Sequence, residues 1–253
     1  MGLALLLAAR GAAAELIPLS PLPPEGSLWI NFEILSAERG RPLPQALREI
    51  ESGRLQADEA TVNGSRYRRT SMALPLVGGD RREVVLLLAE EQGRMRMLGF
   101  HRIHRHFEAP QGRTIVFQSG PPNPLSGEVV EVPADTYTYL ALSTALAGFT
   151  ADRAPLAVHL WVRDGEIADA EVAFDGKEKL DVLGTQVPAL RVRVRPKTGA
   201  ANEALYWFTE AAPHSLLQYR GPGGFLLESG DSAPVVVLRA TASSEQVRKI
   251  FRD

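Results

Sequence analysis

The strongest constraint on this chain's fold is written between Lys177 and Gly224. Leu190, Val192 and Val194 alternate with Arg191, Arg193 and Arg195. A period of two puts the aliphatic side chains on one face of a strand and the guanidinium groups on the other. Pro196-Lys197-Thr198-Gly199 then supplies a turn, and Leu205-Tyr206-Trp207-Phe208 opens the next strand. Pro213 interrupts it, Leu216 to Tyr219 resume the pairing, and Gly221-Pro222-Gly223-Gly224 closes the stretch. The pattern is an antiparallel meander, wet on one side and buried on the other.

The rest of the chain carries similar signals. Ser27 to Leu35 reads as a first strand, and Pro44 to Ser52 as a short helix stopped by Gly53. Asn63-Gly64 is a strong two-residue hairpin signal, with Arg66, Arg68 and Thr70 sharing a face of the strand that follows. Glu83 to Glu90 is a continuous apolar run short enough for a buried strand. Gln92-Gly93 turns into Met95 to Phe107, Thr114 to Gln118 extends again, and the prolines of Gly120 to Gly127 mark an irregular loop. Asp135 to Phe149 reads as the one longer helix, capped by Asp135, with Tyr139, Leu142, Leu146 and Phe149 in one stripe. Such a helix packs on one face of a sheet or plugs a half-open barrel. Leu156 to Val162 is a strand, Asp164-Gly165 and Asp175-Gly176 read as tight turns, and Pro234 to Ala240 as the last strand. The expected fold is mainly β: a strongly bent antiparallel sheet or open half-barrel with one packed helix.

The N-terminal run Gly2 to Ala9 followed by Arg10 to Ala14 resembles a secretory segment with Ala12 and Ala14 at an A-x-A site. Residues 1–14 are therefore expected to be a cleaved signal peptide, 15–26 a proline-rich leader, and 27–253 a single β-rich domain of the periplasm. The run is too short to span a bilayer, which takes about 20 residues. The 253 residues contain no cysteine, so disulfides, thiolate metal sites, a cysteine nucleophile and a lipoprotein anchor are not expected. A net charge of −2 gives no global field toward nucleic acid, and at most a peripheral attachment to a membrane is expected.

Few residues suggest chemistry. His101, His104 and His106 lie within six positions, and on a strand His104 and His106 would share a face. Arg102 and Arg105 would repel a cation, so a basic solvated strand is the simpler reading and no metal or other cofactor is expected. Asp164/Glu166 and Asp169/Glu171 flank a turn, where acids are ordinary residues. Gly221 to Gly224 lacks the helix and Lys-Ser/Thr pair of a phosphate loop, and Ser143 lacks a nucleophile elbow. Arg191, Arg193 and Arg195 could face anionic envelope polymer or lipid headgroups, or simply discourage edge pairing.

With these residues in view, Gly127 to about Gly224 resembles the exported bacterial family known as domain of unknown function 3108. The shared features are the helix at Asp135 to Phe149, the strand pair around Asp164-Gly165, and the run Glu178-Lys179-Leu180, Gly184-Thr185, Ala189-Leu190-Arg191-Val192. The aromatic strand Leu205 to Phe208 before Pro213 to Tyr219 completes them. The resemblance implies a mostly β, periplasmic domain with no assigned activity. At fold level alone, the chain is also similar to open half-barrels that carry lipoproteins or acyl chains, a likeness that cannot transfer function.

The reading that follows is a non-enzymatic binding or envelope-assembly protein, holding an apolar ligand or lipid against its curved sheet. The expected lining is Tyr139, Leu142, Trp161, Tyr206, Trp207, Phe208 and Phe225. A scaffold that contacts an envelope protein without any small ligand is the first alternative. A metal-dependent or hydrolytic enzyme using the histidine cluster is the second. Mass analysis of protein from a periplasmic extract should find Glu15 as the first residue. Met1 or Gly2 retained on mature cytosolic protein would end the export reading.

Overall fold

The computed structural model describes residues 16–18, 22, 27–37, 42, 48, 50, 52–62, 64–76, 80–105, 110–118, 123–163, 166–197, 202–212, 214–223 and 235–243. Its first half contains β1 (Ile17–Pro18), β2 (Ser27–Ser36), β3 (Gly53–Val62), β4 (Ser65–Pro75), β5 (Arg81–Glu91), β6 (Arg94–Arg105), β7 (Pro110–Gln118) and β8 (Glu128–Glu131). The second half contains β9 (Thr136–Tyr137), α1 (Tyr139–Ala145), β10 (Leu156–Arg163), β11 (Glu166–Val182), β12 (Thr185–Pro196), β13 (Ala204–Thr209), β14 (Leu216–Pro222) and β15 (Val235–Ser243).

Turn chemistry sets the register. Glu91 pairs with Arg94 across Gln92 (φ 52°) and Gly93 (φ 74°), and Val182 pairs with Thr185 across Leu183 (φ 53°) and Gly184 (φ 80°). Two consecutive positive φ values give the turn twist that matches right-handed strand twist. The β3–β4 hairpin likewise closes from Val62 to Ser65, with Gly64 at φ 79°.

The sheet order is β8-β7-β6-β5-β4-β3-β2-β15-β14-β13-β12-β11-β10-β9, with β1 beside β6. Each half of the chain is thus a meander, and the halves meet where β2 pairs antiparallel with β15. The outer edges carry short parallel strands, β8 on β7 and β9 on β10. Only residues 132–135 separate β8 from β9, a span of about 18 Å at most when fully extended. The two edges of this open sheet are therefore close together, and the sheet must curl. Packing across the seam agrees: Trp161 on β10 lies 5.3 Å from Phe117 on β7 and 6.3 Å from Phe100 on β6, ring centre to ring centre. The Tyr137 hydroxyl of β9 donates to the Met95 carbonyl of β6 at 2.5 Å and accepts from the Ile17 amide of β1 at 3.1 Å.

The helix is shorter than its apolar stripe suggests. It spans Tyr139–Ala145, followed by a 3-10 turn at Leu146–Gly148, and its cap is Thr138, whose hydroxyl accepts the Ala141 amide at 3.1 Å. Asp135 does not cap it. Thr136 and Tyr137 are taken up as edge strand, which leaves Asp135 facing β10. Nor is the helix amphipathic, because every residue from Tyr139 to Ala145 is buried. A helix buried all round lies inside the curl rather than on one face. Burial of Leu140, Leu142 and Leu146 contributes about 1.5–3 kcal/mol each.

Asp175-Gly176 also departs from expectation. Strand β11 runs unbroken from Glu166 to Val182, and Gly176 (φ 122°) sits where its register against β12 shifts. The dipeptide is a bulge, and Asp175 serves as counter-ion to Arg191 (2.7 Å) and Arg193. Of the helix expected at Pro44 to Ser52, only positions 48, 50 and 52 are described, with Arg48 helical and Ile50 bridging Leu76.

A second bulge tests how tightly the curl is built. Gly99 (φ 145°) lies where β6 slips against β5, and a Cβ there would sit 2.2 Å from the Ile115 carbonyl oxygen. Gly99→Ala should cost about 2–4 kcal/mol, read as a lower urea midpoint with unchanged slope. An unchanged midpoint would show that β6 and β7 can part there freely.

Candidate functional site

The expected lining separates into two places. Tyr139, Leu142, Trp161, Tyr206 and Phe208 are all buried and belong to the cluster inside the curl. Trp207 does not join them. Alternation along β13 turns it to the opposite face, where it forms a smaller cluster with Val182, Val187, Ala189 and Leu217. Phe225 lies outside the described residues.

Inside, the chain's own groups meet one another. The Tyr206 hydroxyl donates to the Tyr139 carbonyl at the start of α1 (2.9 Å), and the Tyr139 hydroxyl donates to the Asn202 carbonyl (2.7 Å). On the far side of the helix, Thr144 and Thr70 of β4 join hydroxyls at 2.9 Å. The helix is thus clamped between both meanders. Tyr206 and Tyr219 rings stand 5.0 Å apart, and the Tyr219 hydroxyl donates to the Pro222 carbonyl at 2.9 Å. Burial pushes the phenols of Tyr137, Tyr139, Tyr206 and Tyr219 well above their ordinary value, so all four remain neutral donors.

The arginine side chains of β12 lie on the outer face of the sheet. In the arginine row of β12, Arg191 also reaches Glu178 at 2.9 Å, and Arg195 reaches Glu203 at 3.2 Å. The Trp207 indole N–H donates to the same Glu178 at 2.5 Å. His101 and His104 are three positions apart on an unbroken stretch of β6, so they face opposite sides. His101 Nδ1 meets the Thr114 hydroxyl at 2.6 Å. His106 lies outside the described residues, and no group of three metal-ligating side chains occurs among the described residues. Of the acidic pairs, Asp164 is likewise outside them. Glu171 pairs with Lys197 at 3.3 Å.

One constellation was invisible in the sequence. His159 Nδ1 lies 2.8 Å from the Asp135 carboxylate and its Nε2 lies 3.4 Å from Asp169. Asp135 and His159 are brought together only because β9 lines up in parallel with β10. The pair fastens the sheet's edge strand.

A second charged group centres on Arg68, a buried residue of β4. Its guanidinium donates to Glu59 at 2.7 Å, and Arg66 reaches both Glu59 (3.0 Å) and Glu90 (2.9 Å). The crevice among them is about 10 Å³, one water at most. Burial acts to raise the Glu59 carboxyl, but hydrogen bonds from Arg68 and Arg66, with their charge, outweigh it and hold the group below its ordinary value. Burial lowers Arg68, and Glu59 opposes that shift.

No family model matches the chain, and no curated protein matches it significantly. Among solved structures it is similar to the crystal structure of a β-barrel-like protein of domain of unknown function 1849 from Brucella abortus. The match covers 92% of this chain and 99% of that one, at 7% identity and a TM-score of 0.39. Likeness at that level carries no functional argument.

The Glu59–Arg68 pair gives a pH-dependent expectation. With its folded-state pKa depressed, Glu59 contributes stability above the ordinary carboxylate range, and loses it as pH falls through the folded value. Glu59→Gln should therefore cost about 1–3 kcal/mol at pH 7, and that deficit should shrink by pH about 3. Urea unfolding of both proteins at the two pH values measures it. An equal deficit at both would assign the loss to packing instead of charge.

Proposed function

We propose that this chain is a non-enzymatic periplasmic envelope protein that works through its outer surface, with its interior serving as core. The observation that carries this reading is the helix α1, buried on every side and clamped by hydroxyls from both meanders. Side chains that a carried acyl chain would have to touch are occupied with one another. Trp207, the largest ring expected to join them, faces outward. The role of an interaction scaffold fits better than that of a carrier.

Two further features support it. The β11–β12 hairpin ends in Leu183, which is 71% exposed and held at positive φ, a costly place for a leucine without a partner. His101 stands on the opposite face from His104 and meets the Thr114 hydroxyl, so these two imidazoles do not share one ligand. Export remains part of the proposal through the apolar N-terminal run.

Native mass spectrometry and lipid extraction of protein purified without detergent test the filled interior. The expected mass is that of the mature chain alone. A stoichiometric acyl species that survives gel filtration would restore the carrier reading.

A further inference from the structure

The outer face of β3, β4 and β5 holds a depression of about 170 Å³ that no reading of the interior uses. Arg54, Arg69 and Arg81 come to it from three successive strands, together with Gln56, Ser71 and Glu83. Pairing places Gln56 opposite Ser71 and Ser71 opposite Val85, with Arg54 opposite Ala73 and Ala73 opposite Glu83. The central strand thus contributes Ser71 and Ala73, the small residues that leave the space, while longer side chains wall it. All three arginines are exposed.

Charge and rigidity both favour a ligand here. Although the whole chain carries a net charge of −2, three guanidinium groups line this depression against two carboxylates, Glu83 within it and Asp58 beside Arg69. Arg69 is already oriented, since its Nε and Nη2 donate to Asp58 at 3.2 and 2.9 Å. Arg81 lies 3.6 Å from Glu83. The alternate residues of the same strands, Leu55, Met72, Leu74, Val84 and Leu86, are buried in the main core. The arginines therefore stand on backbone that the core holds still, as a preorganised site requires.

We infer that this depression binds a phosphoryl group, with guanidinium N–H groups of Arg54 and Arg81 as the main donors and Arg69, held by Asp58, adding positive charge beside them. Its volume is below the roughly 300 Å³ of ordinary small-molecule pockets, so it takes the anionic head while the rest of the ligand lies across the open sheet. The phosphoryl group belongs either to a soluble phosphate or to a phospholipid headgroup, and the same chemistry reads both. The inference stands whether or not the interior is filled.

Calorimetric titration with inorganic phosphate, and flotation with phosphatidylglycerol/phosphatidylcholine vesicles against phosphatidylcholine alone, test it on the full mature chain at low salt. At least one probe should bind. Phosphate binding without flotation points to a soluble ligand, and flotation that phosphate competes away points to a headgroup. Arg54→Gln with Arg81→Gln should weaken whichever binds by about tenfold or more, while Arg195→Gln on β12 leaves it unchanged. These arginines are exposed, and urea midpoints will confirm that the variants fold. Failure of both probes, or equal weakening by Arg195→Gln, would overturn the site.

Discussion

A curved sheet with one apolar face has to put something against that face, and here the chain uses its own residues 139–148. Everything else is arranged around that burial. Seven helical residues with no exposed side cannot send polar groups to solvent, so Ser143 and Thr144 return theirs to the carbonyls of Leu140 and Ala141. Unpaired groups at this depth would cost about 1–3 kcal/mol each. Tyr206 completes the account from the sheet, donating to the carbonyl where the helix begins, and Tyr139 from the helix, donating to the Asn202 carbonyl. Packing and hydrogen bonding then reinforce one another, because each ring fills space with its body while its tip satisfies main chain.

Much of this was legible in the sequence, and the rest fails for identifiable reasons. The Leu190-Val192-Val194 alternation was enough to set the wet and dry faces of β12, because a period of two admits no other arrangement. Alternation along Tyr206-Trp207-Phe208 equally forbids all three rings one lining, and it is the sequence's own evidence against grouping them. Asp175-Gly176 misleads because a glycine with positive φ serves a turn and a bulge equally. Only the partner strand distinguishes them, and β12 is the partner that continues. The helix start was misplaced because Asp135 and Thr138 are both good caps. His159, distant in sequence, decides between them by engaging the aspartate.

Charge shows the same division between what sequence and register can reveal. The β12 arginines are visible as a row, yet in the fold they are matched by Asp175, Glu178 and Glu203. Arg54, Arg69 and Arg81 are unremarkable along the chain, and only the pairings of three strands bring them to one depression. A sequence shows the charges that share a strand. Those that share a surface emerge with register.

The pairing of β2 with β15 has a consequence for the order in which this protein can be assembled. Ser36 is opposite Val236, two hundred residues later. A chain emerging from its N-terminus can lay down β2 to β8 strand by strand, each pairing with the strand before it. Throughout that time β2 has no native neighbour on its second side, and it gains one only when residues 235–243 have emerged. Local hairpins close early, whereas this contact pays the full entropy of a long loop. Until then, the backbone amides and carbonyls of that strand remain open to any extended segment nearby.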